Sequence, residues 1–301
     1  MEIWIPITIA AAFAQNLRSA AQKHLKSVMG TTGATYVRFA FGMPVVLAVL
    51  AGLVFIGGYS LPRPGPVFFG WAVAGALAQI GATFLLIQLF SFRNFAVGTA
   101  YSRTEPVQAA IFGLVLLGEG ISPGVVAAIA VSVVGVMVIS VARMPMSLRN
   151  VGASLVSPTA VTGLASGLLF GISAIAYRAA SLSLGGPNFV VQGTLTLACV
   201  IVFQTVIMSL WIAWRERGEF ARIAAAWKPS MLAGLTGALA SLGWFTAMTL
   251  QNAAMVKALA QVEMLFTFAA SVFFFKETIN RMEVAGCGLI VAGIVVLVLL
   301  G

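Results

Sequence analysis

The sequence predicts an all-α integral membrane protein, ten transmembrane helices arranged as two inverted five-helix repeats. Three observations carry this. First, 60% of the 301 residues are hydrophobic and only 8% are charged, with a mean hydropathy of +1.04. A soluble domain carries about 25% charged residues, so this chain cannot cover its surface with polar groups and a bilayer must. Second, the apolar runs are continuous, which disfavours a β-barrel. At about 20 residues per span with short loops, the length gives about ten crossings. Third, the chain contains itself twice.

An offset of 158 residues lays Asn94 on Asn252, Ala100 on Ala258, Glu105 on Glu263, Glu119 on Glu277 and Gly135 on Gly293. Chance rarely puts such landmarks in register in a chain with eight acidic residues. Gly75-Ala76-Leu77-Ala78-Gln79-Ile80-Gly81 matches Gly237-Ala238-Leu239-Ala240-Ser241-Leu242-Gly243 at an offset of 162. The difference from the later offset is about one helical turn. Arg18-Ser19-Ala20-Ala21 pairs more weakly with Arg178-Ala179-Ala180-Ser181. Five spans therefore repeat once, over 1–150 and 151–301, with the join near Arg149–Pro158. An odd number of spans per repeat makes the second copy enter from the opposite face. Such inverted repeats typify transporters, whose site lies at the midplane between the halves.

The spans expected in order are Ile3–Ala21, Thr32–Ile56, Pro66–Phe90, Phe95–Leu117, Pro123–Val141, Pro158–Ala180, Asn188–Trp211, Met231–Leu250, Ala253–Phe275 and Asn280–Leu300. The first has no basic lead and no cleavage pattern, so it reads as a retained span, not a signal peptide. Pro44 and Pro106 are candidate kinks. Gly30, Gly33, Gly42 and the Gly75 and Gly81 set with its echo suit close helix packing. Arg215–Lys228 reads as an amphipathic surface linker, and His24, beside Lys23 and Lys26, as surface. Cys199 and Cys287 lie inside apolar runs, which argues against a metal site or a structural disulfide.

The net charge of +9 follows from topology, not from nucleic-acid binding. Lys23, Lys26, Arg93, Arg143, Arg149, Arg215, Arg217, Arg222, Lys228, Lys276 and Arg281 fall on one face, which is expected to be cytoplasmic. Arg63 falls on the other, joined by Arg178 and Lys257 if those lie near helix ends. Both termini then point away from the cytoplasm.

With these features the sequence resembles the drug/metabolite transporter superfamily, in its ten-span EamA-type branch. The resemblance covers nearly the whole chain. It rests on the two halves, on the helix ends Leu116-Leu117-Gly118-Glu119 and Phe274-Phe275-Lys276-Glu277, on the glycines of the fifth spans (Gly135, Gly293), on Arg38-Phe39 and on Pro106. The second half departs from the pattern, with Gln192 about where Arg38 would stand and Met264 in place of the proline. The resemblance implies a small-molecule transporter of the inner membrane, commonly an exporter.

Glu105 stands eleven residues past Asn94, about 16 Å along a helix and near the middle of a hydrocarbon core about 30 Å thick. Glu263 reaches the same depth from the other face. An ionisable group there costs about 2.5–3.5 kcal/mol on insertion scales and needs water or a partner. Two roles are open to each: a proton- or substrate-coupling carboxylate lining a central cavity, or an ion pair locking helices, with Arg38 or Arg103 as partner. Glu119 and Glu277, at helix ends where a carboxylate meets water and the N-terminus of the next helix, are expected to be structural. Tyr101, Glu105 and Gln108 form a polar stripe at i, i+4 and i+7 that is expected to face the cavity. Gln15, Asn16, Arg18 and Gln79 add polar groups that could converge there, or simply bond between helices. Lys257 and Gln261 form a second pair, with Lys257 free to snorkel to the interface. Arg38 either snorkels or offers a forked donor to a substrate carboxylate or phosphate. Trp244 either walls a pocket or packs.

The reading is a secondary transporter working by alternating access, with the bilayer and a small polar molecule as partners. It involves no cofactor, metal, nucleic acid or enzymatic chemistry, and the protein is a monomer or homodimer. An amino acid or zwitterionic derivative fits carboxylates and arginines that both reach into the membrane. Coupling to protons through Glu105 is one option and uncoupled passage another. The alternatives are an exchanger of anionic or phosphorylated metabolites, built on Arg18, Arg38, Arg103 and Lys257, and a membrane scaffold that transports nothing.

Overall fold

The computed structural model of the chain describes residues 2–92, 101–142, 158–186, 188–273 and 281–300. Expectations for Arg93, Asn94, Ala100, Arg143, Arg149, Lys276 and Glu277, and for most of the join between the repeats, lie outside the described residues.

The described residues are helical throughout, with no strand. Six helical runs are long and apolar enough to cross a membrane. They are Thr31–Phe55, α4 (Pro66–Leu89), α7 (Pro158–Ser183), α8 (Phe189–Arg215), α10 (Trp227–Leu250) and α13 (Arg281–Leu300). Shorter helices are α5 (Glu105–Leu117), the short surface helix α9 (Gly218–Ala225), α11 (Ala253–Leu259) and α12 (Val262–Phe273). α1 (Trp4–Leu25) and α6 (Pro123–Ala142) complete the chain. Starts follow the chemistry of orphan N–H groups. Asn188 Oδ1 accepts from Val190 and Val191 N–H at 2.9 and 3.1 Å, and Asn252 Oδ1 accepts from Ala254 N–H at 2.8 Å. Prolines sit in the first turns of α3 (Met43–Phe55), α4 and α5, where the missing N–H costs nothing.

Three expected spans are not continuous. The second is broken at Phe41-Gly42 into α2 (Thr31–Ala40) and α3, just before Pro44. The fourth is interrupted at Arg103-Thr104, before Glu105 and Pro106, and the ninth at Ala260-Gln261, between α11 and α12. The last two breaks fall at repeat-related positions. The second of them has Met264 where the first has Pro106, so proline is not what keeps it.

The packing repeats with the halves exchanged. The most extensive contacts pair α1 with α10, α4 with α7, and α6 with α13. Each half's first span thus lies along the third span of the other, and the two fifth spans lie together. The repeated glycines make this possible. A Cβ on Gly75 would stand 2.6 Å from the Tyr177 ring, on Gly243 2.7 Å from Ala11 Cβ, and on Gly135 2.7 Å from the Gly286 carbonyl. Gly30 and Gly33 serve a different purpose from the helix packing expected of them: they leave room for the carboxylate of Glu219. Outward-facing side chains such as Phe55, Val115 and Leu299 are more than two-thirds exposed, an apolar exterior suited to lipid.

Candidate functional site

Each of the two repeat-related breaks puts a glutamate in the first turn of a half-helix, Glu105 in α5 and Glu263 in α12. Each carboxylate then takes its cation from the other half of the sequence. Arg103 Nη1 and Nη2 donate to Glu263 Oε2 and Oε1 at 2.7 and 2.8 Å, a bidentate pair. Lys257 Nζ lies 2.8 Å from Glu105 Oε1, as an ion pair without the alignment of a hydrogen bond. The Arg38 partnership open from sequence is not made by either carboxylate. Nor does Lys257 snorkel: its side chain is 11% exposed and its ammonium lies 4.8 Å from the centre of the Trp244 ring.

A hydrogen-bonded chain fixes Glu263. Trp244 Nε1 donates to Gln15 Oε1 at 2.9 Å, and Gln15 Nε2 donates to Glu263 Oε2 at 2.9 Å. Gln261 Nε2 donates to the Arg103 carbonyl at 3.0 Å, holding one break against the other. These partners satisfy charges that would be costly to leave alone at such depth.

The pairs enclose a cavity of about 40 Å³, room for roughly three waters at 10–15 Å³ each. Gln15, Arg18, Arg38, Gln79, Arg103, Glu105 and Lys257 supply its polar lining, and Phe170, Tyr177, Trp244 and Phe245 an aromatic wall. Tyr177 stacks on Phe245 with ring centres 4.3 Å apart and donates to the Gly75 carbonyl at 2.9 Å and to Gln79 Oε1 at 3.1 Å. Gln204 Nε2 donates to the same Gln79 oxygen at 2.9 Å. Arg38 is buried, with Nη1 donating to Thr83 Oγ1 at 3.0 Å.

Of the residues the sequence singled out, Glu105, Arg38, Gln79 and Trp244 line this cavity, and Glu263 stands behind it through Arg103. Four others lie elsewhere. The stripe Tyr101, Glu105, Gln108 is cut at Arg103-Thr104, which separates Tyr101 from the other two, and within α5 Glu105 and Gln108 go to different neighbours. Gln108 turns toward Gly167 and Gly171 of α7, and Tyr101 is not in the lining. Asn16 donates to the Glu263 carbonyl at 3.2 Å and to Thr267 Oγ1 at 2.6 Å. Gln261 bridges backbone, as above. Sequence reasoning passed over Tyr177 and Gln204, although a single hydrogen-bonding side chain inside a long apolar run was the available signal.

Polar pins tie helix ends together at two places, with charged side chains that are not part of the cavity lining. Arg178 binds Glu119 and donates to the carbonyls of Met248 and Gln251 at 2.6 and 2.7 Å. Glu119 therefore meets an arginine, not the N-terminus of the next helix. At the second place Glu219 of α9 accepts from the Gly30 N–H at 2.9 Å and pairs with Arg222, while Thr32 Oγ1 donates to Glu216 at 3.0 Å. The linker is thus anchored over the start of α2, where carboxylates suit the helix dipole.

The comparisons with known proteins agree with this architecture. One solved crystal structure matches with a TM-score of 0.72 over 99% of this chain and 98% of its own, at 19% sequence identity, which shows a shared fold. No curated protein matches. The model of the EamA-like transporter family matches twice, over residues 2–141 and 157–299. The two matches cover the helices described above, all but the last residue of α6 and of α13, and the chain belongs to the EamA-like transporter family, a family of membrane transporters.

Proposed function

We propose that the protein is a secondary transporter that carries a small polar metabolite by alternating access, through the cavity between Glu105, Arg103, Lys257 and Glu263. In this reading ten crossings form two inverted five-span repeats. The observation that carries it is the exchange of partners: each half's glutamate is held by the other half's cation, beside a helix break. A seam built this way has two states. With both pairs made, the cavity is far below the 300–1,000 Å³ of a site for a drug-sized ligand. A substrate that competes for either member of a pair releases the halves to rock about the breaks.

The charges also bear on the substrate. Both carboxylates are already neutralised, so the site calls first for an acidic group. An amino acid or zwitterionic derivative enters if its ammonium displaces Lys257 or Arg103 from a carboxylate. The alternative, a metabolite with only acidic groups, needs no such displacement and is favoured by the four cations at the cavity. Coupling to protons through Glu105, which is paired with Lys257, belongs to this reading. Export, the inner membrane and an outward position of both termini rest on the family and on the loop charges.

The test is flux. Reconstituted vesicles are assayed with labelled amino acids and small carboxylates, with and without a pH gradient, for the unaltered protein and for Glu105→Gln. Flux that depends on the protein and falls in Glu105→Gln is expected. No flux for any solute, with a folded protein, contradicts transport. A flux that Glu105→Gln leaves unchanged at every pH removes proton coupling alone.

A further inference from the structure

We propose that Arg18 and Arg38 form a subsite for a small organic dianion, a dicarboxylate or a phosphate monoester, within the cavity of the transporter reading on which this inference rests. Arg18 is 2% exposed and lines the cavity, yet it makes no hydrogen bond or ion pair among the described residues, and its Nε has no partner. Glu263 and Glu105 are nearby but occupied by Arg103 and Lys257. Other carboxylates are engaged away from the cavity: Glu119 with Arg178, Glu216 with Thr32, Glu219 with Gly30 and Arg222.

The balance at the cavity is therefore four cations against two carboxylates, an excess of two positive charges. Arg18 and Arg38 are the pair left over. Their stems converge on one glycine, since a Cβ on Gly237 would stand 3.3 Å from Arg18 Cδ and 3.7 Å from Arg38 Cβ. Two planar forks lining one cavity suit bidentate recognition of carboxylate or phosphate oxygens. The first turns of the half-helices α5 and α12 add positive potential from their N–H groups.

Unpaired buried charge is unstable, and a ligand that cancels it gains the whole of that relief. A zwitterion leaves the excess as it was, and a monoanion halves it. Only a dianion brings the loaded cavity to neutrality, and since the closed cavity of about 40 Å³ is too small for it, it is held as the halves part.

The experiment uses the full chain, delipidated in an uncharged detergent so that no lipid phosphate competes. Tm is followed with succinate, inorganic phosphate, acetate and alanine at matched ionic strength. Succinate or phosphate is expected to raise Tm by about 5 °C near saturation, with acetate and alanine far behind. Arg18→Gln is expected to lose that rise while its ligand-free Tm stays the same or increases, because an uncompensated charge has gone. Arg18→Lys is expected to keep part of the rise. The proposal is overturned if neither dianion shifts Tm, if alanine or acetate shifts it as much, or if Arg18→Gln responds like the unaltered protein. It is also overturned if Arg18→Gln lowers the ligand-free Tm, which marks a structural arginine. Vesicles that carry alanine while dianions neither bind nor move would end this inference and leave the transport reading intact.

Discussion

Gln261 donates a 3.0 Å hydrogen bond to the backbone carbonyl of Arg103, and the two residues occupy the same place in the two halves of the sequence. Both stand at a break between two helices, and each precedes a glutamate by two residues. The carbonyl is one that a continuous helix would have satisfied internally. The second half thus supplies what the first half's break leaves open.

Replacing Gln261 with leucine is expected to cost little stability and much function. A hydrogen bond between membrane helices is worth about 0.6 kcal/mol on average and about 1.7 at most, so Tm in detergent should fall by only a few degrees. Vesicle flux should fall several-fold, since the breaks lose their alignment. Flux equal to that of the unaltered protein would show that the bond does not position the site.

Arg178 ties Glu119 to the carbonyls that end α10, those of Met248 and Gln251. Both charged side chains are largely buried, at 14% and 17% exposed. Arg178→Leu should cost about 2–4 kcal/mol by leaving the carboxylate unpaired. Adding Glu119→Gln should recover part of it, giving a coupling of about 1–3 kcal/mol in a double-mutant cycle read by denaturation. Additive losses would mean that the pair is not a unit.

A Cβ on Gly33 would collide with the Glu219 carboxylate. Gly33→Ala is therefore expected to destabilise by about 1–3 kcal/mol through overpacking. In a Glu219→Ala background the same change should be nearly neutral. Limited proteolysis at Arg217 and Arg222 should accelerate in Glu219→Ala, because α9 loses its anchor. Equal damage by Gly33→Ala in both backgrounds would place the cost elsewhere.

The class of the fold was legible because it rests on bulk properties: apolar fraction, run length and a repeat offset survive any error at single residues. That Glu105 and Glu263 occupy matching places in the two copies was legible for the same reason. What could not be read was direction. A polar stripe at i, i+4 and i+7 assumes an unbroken helix, and the break at Arg103-Thr104 takes Tyr101 out of it, while within α5 Glu105 lines the cavity and Gln108 packs on α7. Partner choice was hidden too, since Lys257 and Glu105 lie 152 residues apart in sequence and no local rule connects them. Gly30 and Gly33 looked like helix-packing glycines because space for a distant carboxylate leaves the same mark.

Gly293 separates fold from function. A Cβ there would strike Ser132 Oγ and stand 2.9 Å from the Ala128 carbonyl, where α6 and α13 cross. Gly293→Ala should lower stability by about 1–3 kcal/mol, and Ser132→Ala should not fully rescue it, because the backbone contact remains. Transport per folded molecule should be unchanged, as neither helix lines the cavity. A specific loss of flux would extend the working parts to the fifth spans.

In the proposed transport cycle the cross-repeat pair of Arg103 and Glu263 is a working seam. The most direct measurement is vesicle flux for Arg103→Glu, for Glu263→Arg and for the exchange of both. Each single change places like charges together, and flux should fall at least tenfold, whereas the exchange should restore a measurable part of it. Single variants that fold and transport at the unaltered rate would contradict the account.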